Sequence, residues 1–360
     1  MTNNIEKLKV LHIVSSLQIG GAERFVLDLC QIQQSKGMKA SIMSFGSNSD
    51  PLKLVCDDLD ILVFTVEGNR LQKWLKIYNI VKGFDVIHFH SPYPLKLMSI
   101  LLPLFKQKRV VYTRHGADPL SGRSWKALHR LVQKYIDDIT FVSQEGADIF
   151  ENNHGWLDKP KRVIDNGVNL SSVRADRAAS KLLRLGSVGR MVDLKNQISL
   201  LQAVAMLPLD EQKTLEINFY GDGPCMAELK LFNDRNLENV AVNFHGMVQD
   251  RNVIYSSFDA LIVTSETEGL SLAIIEAMAY GCVVIASNVG GNPKLVEHNT
   301  NGWLFDYNDT DSLAKYLQTL NKDRSLISSF GTEGRKKIEL QFSLDNTAQK
   351  YTDIYSNTLI

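Results

Sequence analysis

The sequence predicts an α/β protein of two doubly wound, Rossmann-like domains facing a central cleft, and three observations carry that expectation. The chain has 360 residues, enough for about two domains of ordinary size. Apolar β-type runs alternate with stretches of helical periodicity from one end to the other. Hydrophobic residues make up 44%, ample for two buried cores, which excludes disordered, collagen-like and disulfide-stapled chains.

In the first half the strand runs are KVLHIVS (9–15), KASIMSF (39–45), ILVFTV (61–66), FDVIHFH (84–90), RVVYTRH (109–115), DITFVS (138–143) and KRVID (161–165). Stretches such as AERFVLDLCQIQQ and RLQKWLKIYNIVK lie between them with apolar residues at helical spacing. The second half repeats the scheme with LLRLGSVG (182–189), TLEINFYG (214–221), VAVNFHG (240–246), DALIVTS (259–265), CVVIAS (282–287) and GWLF (302–305). Apolar strands separated by helices imply parallel sheets covered on both faces. The polar stretch 169–181 follows an Asn166-Gly167 turn signal and reads as the linker between a domain at 1–168 and one at 182–341. In the tail, 342–360, Tyr351, Ile354 and Tyr355 recur at helical spacing, which predicts a closing helix that crosses back onto the first domain.

Forty basic and forty acidic residues cancel, so nothing in the whole-chain charge points to nucleic acid. The halves differ: residues 1–170 carry 22 Lys/Arg against 17 Asp/Glu, and 171–360 carry 18 against 23. The excess concentrates between Lys96 and Lys134, where nine basic residues accompany one acidic residue, Asp118. Lys126, Arg130 and Lys134 follow i, i+4, i+8 spacing and predict a basic ridge on one helix, with Trp125, Leu128, Leu131, Val132 and Tyr135 largely on its other side. Such a ridge suits contact with an anionic membrane surface. The most lipid-like run, LMSILLPLF at 97–105, is too short to span a bilayer, which takes about 20 residues. The N-terminus reads as a first strand entering a glycine turn rather than as a signal peptide. Cys30, Cys56, Cys225 and Cys282 lack metal-ligand spacing and read as reduced, buried thiols of a cytoplasmic protein.

Two segments carry the chemistry. In TSETEGLSLAIIEAMAYGCVVIASNVGG (264–291) a strand gives way to a polar loop and a helix beginning near Leu270 or Ser271. Glu268 in the loop and Glu276 in the helix are placed to reach one crevice, and the amides of Gly269, Leu270 and Ser271 at the helix start suit an anion. Glu276 lies among Ile274, Ile275, Ala277 and Met278, so its burial demands a partner. In LGSVGRMVDLKNQ, Arg190 follows a strand and a glycine and Lys195 opens the next helix, a pair suited to clamp a diphosphate.

These residues resemble glycosyltransferase family 4. The Glu268/Glu276 spacing, the Arg190/Lys195 pair, the Gly-Gly-Ala-Glu turn at 20–23, the VIDNGVN stretch and the GDGP of 221–224 occur in the family's order over essentially the whole chain. The departures are Asn169, where the family has an aspartate, and TRHG at 113–116, a loose match around His115. The resemblance implies the GT-B architecture and a retaining, metal-independent transfer of sugar from a nucleotide-diphospho-sugar, without a cofactor. It implies Glu268 on donor-sugar hydroxyls, Glu276 on the ribose, and Arg190 and Lys195 on the leaving diphosphate. The amides at 269–271 and the Gly20-Gly21 turn would approach phosphates and sugar, and His115 would face the reacting sugar. By family frequency the donor is a UDP-hexose or UDP-N-acetylhexosamine. The acceptor is a glycan or lipid-linked precursor of bacterial surface polysaccharide, met at the inner face of the membrane.

Three further motifs read more modestly. His88 and His90 end a strand before Ser91 and suit an acceptor pocket; with no third ligand near them in sequence, a metal site is not expected. The D-x-D within Asp57–Asp60 reads as a solvated acidic turn. Gly221–Pro224 mimics a dinucleotide fingerprint but lacks its third glycine, Pro224 opening a helix instead. A nucleotide-sugar epimerase on the same architecture would form product without an acceptor, a phosphorylase would need a lysine-bound pyridoxal group, and a sugar-binding protein without chemistry would not need both glutamates and both cations.

Overall fold

The computed structural model describes residues 8–116, 120, 122–156, 159, 161–170, 173 and 180–356. The chain divides into two compact units, Met1–Gly167 with Leu344–Ile360, and Val168–Ser343.

The first unit is built on seven parallel strands: β1 (Lys9–Val14), β2 (Lys39–Ser44), β3 (Val63–Thr65), β4 (Val86–Phe89), β5 (Arg109–Arg114), β6 (Asp138–Phe141) and β7 (Lys161–Val163). Their order across the sheet is β3-β2-β1-β4-β5-β6-β7. Leu11, Ile13, Ile87, Phe89, Tyr112 and Phe141 build an apolar core on one face. Side chains alternate across a strand, so His12, His88, Thr113 and Thr140 fall on the other face. That face is buried as well, under the helix Gly21–Ser35 and the closing helix Leu344–Ser356. The closing helix buries Leu344, Ala348, Tyr351 and Tyr355 at three- and four-residue spacing. Thr347 donates to the Asp165 carbonyl at 2.9 Å, and Asp345 pairs with Lys36 at 3.0 Å. The expected start of this tail needs correction: Phe342 and Ser343 stay in the second unit, where Ser343 bridges Val168.

The second unit has six parallel strands: β8 (Leu183–Val188), β9 (Leu215–Tyr220), β10 (Ala241–Gly246), β11 (Ala260–Val263), β12 (Val283–Ser287) and β13 (Gly302–Phe305). Their order is β10-β9-β8-β11-β12-β13, with Leu185, Ile217, Phe219, Ile262 and Ile285 in the core. Every strand run read from the sequence is therefore a strand, trimmed by at most two residues at either end. Of the expected linker, residues 171–172 and 174–179 lie outside the described residues, as does Asp118.

Both sheets reverse their winding beside the first strand, between β1 and β4 in one and between β8 and β11 in the other. Neighbouring connections leave on opposite faces at such a point, which opens a crevice at the carboxyl ends of the strands. The sequence-predicted chemistry falls at these two places.

Candidate functional site

In the second unit the loops after β8 and β11 meet. Lys195 Nζ donates to Glu268 Oε1 at 2.5 Å, and the Ser265 hydroxyl donates to the same oxygen at 2.7 Å. The loops are also tied through their backbones: Thr264 Oγ1 donates to the Lys195 carbonyl at 2.8 Å and the Glu266 amide to the Leu194 carbonyl at 2.9 Å. The carboxylate of Glu268 is 11% exposed and the Lys195 side chain 31%, so the pair is shielded yet reachable. Lys195 does not open a helix, as the sequence suggested. It ends a single 3-10 turn, Asp193–Lys195, and left-handed Asn196 precedes the helix Ile198–Ala205.

Arg190 is exposed, and its carbonyl accepts from Gln197 Nε2 at 3.0 Å. Ser271 caps the helix Leu272–Ala279, with Gly269 and Leu270 just ahead of it. The Gly291 amide donates to the Gly269 carbonyl at 2.8 Å, and a Cβ on Gly291 would lie 2.2 Å from that oxygen. Only glycine permits this backbone contact, which fixes the loop carrying Glu268 against the loop after β12. Gly221 acts similarly at the β9 end: with φ 134°, its added Cβ would lie 2.0 Å from the Gly189 carbonyl. Pro224 does not open the following helix, which runs Met226–Asn236 from a Cys225 cap.

Glu276 is buried and has the partners its surroundings demand. Arg251 Nε lies 2.7 Å from its Oε1, and the Tyr255 hydroxyl donates to its Oε2 at 2.6 Å. Both partners come from the short helix Arg251–Ser256. Sequence reasoning missed them, and also Ser265; the only signal was the cost of burying Glu276 alone.

In the first unit Gly20 caps the helix Gly21–Ser35, which follows β1. The Ser91 hydroxyl, at the cap of the helix Pro92–Met98, lies 2.6 Å from that of Ser15. His88 and His90 do acquire a third histidine, contrary to the sequence reading. His12 is the register partner of His88 across β1 and β4, and ring nitrogens of His12, His88 and His90 all lie within 4.8 Å of one another. Every one of those nitrogens already faces a side chain. His12 Nδ1 meets His90 Nε2 at 2.9 Å and His12 Nε2 meets Gln33 Oε1 at 2.7 Å. His88 meets Tyr355 and Thr113, each at 2.6 Å. His90 Nδ1 meets His115 Nε2 at 3.0 Å. Burial pushes His12 down to about 4, partly opposed by its bond to Gln33. Burial, and then the neighbouring Arg114 charge, brings His115 to about 4 as well. His88 and His90 lie well below the ordinary histidine value, from burial first and repulsion second, by His12 and His115 on His88 and by His88, His12 and His115 on His90.

The basic ridge is shorter than predicted. Lys126 and Arg130 are exposed on the helix Arg123–Val132, while Lys134 is exposed on a separate 3-10 turn, Gln133–Tyr135. Leu131, expected on the covered side, is 52% exposed, and buried His129 takes a core position. Lys96 stacks over the Trp125 ring at 5.0 Å, which brings the helix Pro92–Met98 beside this surface. Among the described residues no helix is long and apolar enough to cross a membrane.

Known proteins resemble this chain in sequence and in fold. Residues 19–172 match the model of Glycosyltransferase Family 4 and residues 173–337 that of Glycosyl transferases group 1. The chain is 24% identical to the Escherichia coli UDP-Gal:alpha-D-GlcNAc-diphosphoundecaprenol alpha-1,3-galactosyltransferase, covering 100% of both chains. It is 25% identical to the Bacillus anthracis N-acetyl-alpha-D-glucosaminyl L-malate synthase, over 77% of this chain and 76% of that one. Among solved structures, Anabaena HepE in complex with UDP and glucose superposes with a TM-score of 0.83 at 21% identity, covering 97% of this chain and 100% of that one. The two family models between them span residues 19–337, and the two doubly wound parallel sheets are those of the GT-B plan. The chain belongs to glycosyltransferase family 4 and is a GT-B glycosyltransferase.

Proposed function

We propose that this enzyme moves a sugar, with retention of its anomeric configuration, from a UDP-hexose or UDP-N-acetylhexosamine to a glycan or lipid-linked acceptor of bacterial surface polysaccharide. The Lys195–Glu268 pair at the β8/β11 switch point carries this reading. When the bond from the anomeric carbon to the diphosphate breaks, its electron pair stays on the leaving phosphate oxygen. Lys195, joined by Arg190, supplies fixed positive charge there without solvent reorganisation. Glu268, freed from Lys195 as the cation turns to the phosphate, accepts hydrogen bonds from donor-sugar hydroxyls. Glu276, its rotamer set by Arg251 and Tyr255, holds the ribose. The amides of Gly269, Leu270 and Ser271 are assigned to the phosphates, the Gly20-Gly21 turn and His115 to the sugar, and Ser91 to the acceptor. The UDP bound to Anabaena HepE and the UDP-galactose named for the E. coli relative support a uridine donor.

With two cations on the diphosphate, the reaction is expected to need no metal and no cofactor. Supplying UDP-glucose, UDP-galactose, UDP-N-acetylglucosamine and GDP-mannose with a diphospholipid-linked sugar, and reading the product linkage by NMR, tests this. An α-linked product unaffected by EDTA is expected. A β-linked product, an epimerised nucleotide sugar without acceptor, or activity abolished by EDTA and restored by Mn²⁺ would refute it.

The enzyme works, in this proposal, in the cytoplasm at the inner face of the membrane. Lys126, Arg130 and Lys134 there face anionic lipid, each contributing about 1 kcal/mol near the surface. Exposed Leu131 adds apolar contact. Pelleting with anionic vesicles is expected at low salt and not at high salt, and Lys126→Glu/Arg130→Glu is expected to abolish it. Equal pelleting with neutral vesicles would exclude the ridge as a docking face.

A further inference from the structure

The histidine cluster of the first unit contains a directional chain. Gln33 Oε1 can only accept, so His12 carries its proton on Nε2 and offers Nδ1 as an acceptor. His90 Nε2 faces that lone pair at 2.9 Å and therefore carries a proton, leaving His90 Nδ1 as an acceptor. His115 Nε2 faces His90 Nδ1 at 3.0 Å and carries the next proton. The chain ends at His115 Nδ1, which is buried and has no hydrogen-bond partner among the described residues. The links come from three places: β1, the segment after β4 and the segment after β5, with Gln33 on the helix Gly21–Ser35. The rings are also packed, with His90 and His115 stacked at 5.3 Å between centroids and Phe25 against His115 at 5.4 Å. A tautomer shift or a protonated member would set two N–H groups against each other inside a buried site.

We infer that His12 and His90, anchored by Gln33, are positioning residues that hold His115 as its neutral Nε2–H tautomer and present its Nδ1 lone pair to a ligand hydroxyl. That the hydroxyl belongs to the transferred sugar rests on the function proposed above. An orphaned buried acceptor favours a ligand that donates, and a carboxylate placed there would meet lone pair with lone pair. The sequence hid the arrangement because His12 lies 78 residues from His90 and sits between Leu11 and Ile13 as one residue of an apolar strand.

Histidine-labelled full-length protein, examined by long-range ¹H–¹⁵N correlation near pH 7.5 without donor, reads the tautomers directly. His12, His90 and His115 are expected as neutral Nε2–H rings. Nδ1–H rings, or a stoichiometric metal on His12, His88 and His90 in the purified protein, would overturn the inference. Two variants then test its consequence. His12→Phe fills the space without an acceptor, so His115 is expected to mix tautomers. The accompanying fall in kcat is about tenfold, the lower end of what losing an orienting partner costs. His12→Gln keeps an oxygen for His90 to donate to and is expected to recover the tautomer and most of the loss. Identical His115 spectra in the two variants would overturn the chain. Mixed tautomers in His12→Phe with wild-type kcat would instead overturn the sugar contact while the chain stands, which separates this inference from the function it rests on.

Discussion

Replacing Lys195 with alanine is expected to lower kcat at least about a hundredfold while changing the donor KM little, the scale of losing one preorganised transition-state contact. The expectation follows from where charge develops. In the ground state the diphosphate has other neutralising partners, whereas the extra charge on the leaving oxygen exists only as the bond breaks. A cation fixed at that oxygen therefore acts mostly on kcat. Glu268→Ala is expected to cost a similar factor, because it removes both the sugar contact and the group that holds Lys195 at 2.5 Å when no donor is bound. Glu276→Ala should behave differently. Its carboxylate bonds Tyr255 and Arg251, and in the proposed reading it holds the ribose, so the donor KM should rise more than kcat falls. Lys195 is 31% exposed, so its removal should disturb stability little, and the thermal midpoint serves as the control. A Lys195→Ala enzyme within about tenfold of wild type on a confirmed donor would remove Lys195 from the diphosphate.

What could be read in advance, and what could not, follows the range of the physics involved. Strand runs such as VVIAS and DALIVTS announce themselves through local apolar character, and the structure keeps them as β12 and β11. The closing helix was equally legible because Tyr351, Ile354 and Tyr355 repeat at the helical period. Pairings across long separations were not legible. Lys195 and Glu268, 73 residues apart, each stand out within their own segment, yet their hydrogen bond depends on two loops meeting at a switch point. His12 carries no signal of its partners in the sequence, because they are set by the register of β1 against β4, which no local window contains. His129 offers the converse lesson. Its neighbours predicted an amphipathic helix, and the structure makes the histidine, not Leu131, the buried residue.

The first unit is expected to unfold in mild acid while the second does not. His12, His88, His90, His115 and His129 are all buried or nearly so in the first unit, whereas His245 and His298 of the second are exposed. Desolvation disfavours the imidazolium, and it holds His12 and His115 at about 4 and His129 at about 3, against 6.5 when unperturbed. A folded-state value below the unfolded one means that the unfolded chain takes up protons first as pH falls. The stability these neutral rings allow is complete above 6.5 and is lost progressively on the way down to about 4. At pH 5 the loss is about 2 kcal/mol for a histidine shifted as far as His12, and several act in one unit. The groups facing the cluster offer no relief. Among the described residues they are Arg114 beside His115, Cys30 on the helix Gly21–Ser35, and Tyr351 and Tyr355 on the closing helix, none of them anionic near neutrality. Three of the four tryptophans, Trp74, Trp125 and Trp156, lie in the first unit, so fluorescence of a Trp303→Phe variant follows that unit alone. Its urea midpoint is expected to drop steeply between pH 6.5 and 4.5, and superimposable curves at pH 7 and pH 5 would show that these histidines accept protons in the folded state. The same protonation would turn His115 Nδ1 from acceptor to donor, so the loss of stability and the loss of the sugar contact should share one pH range.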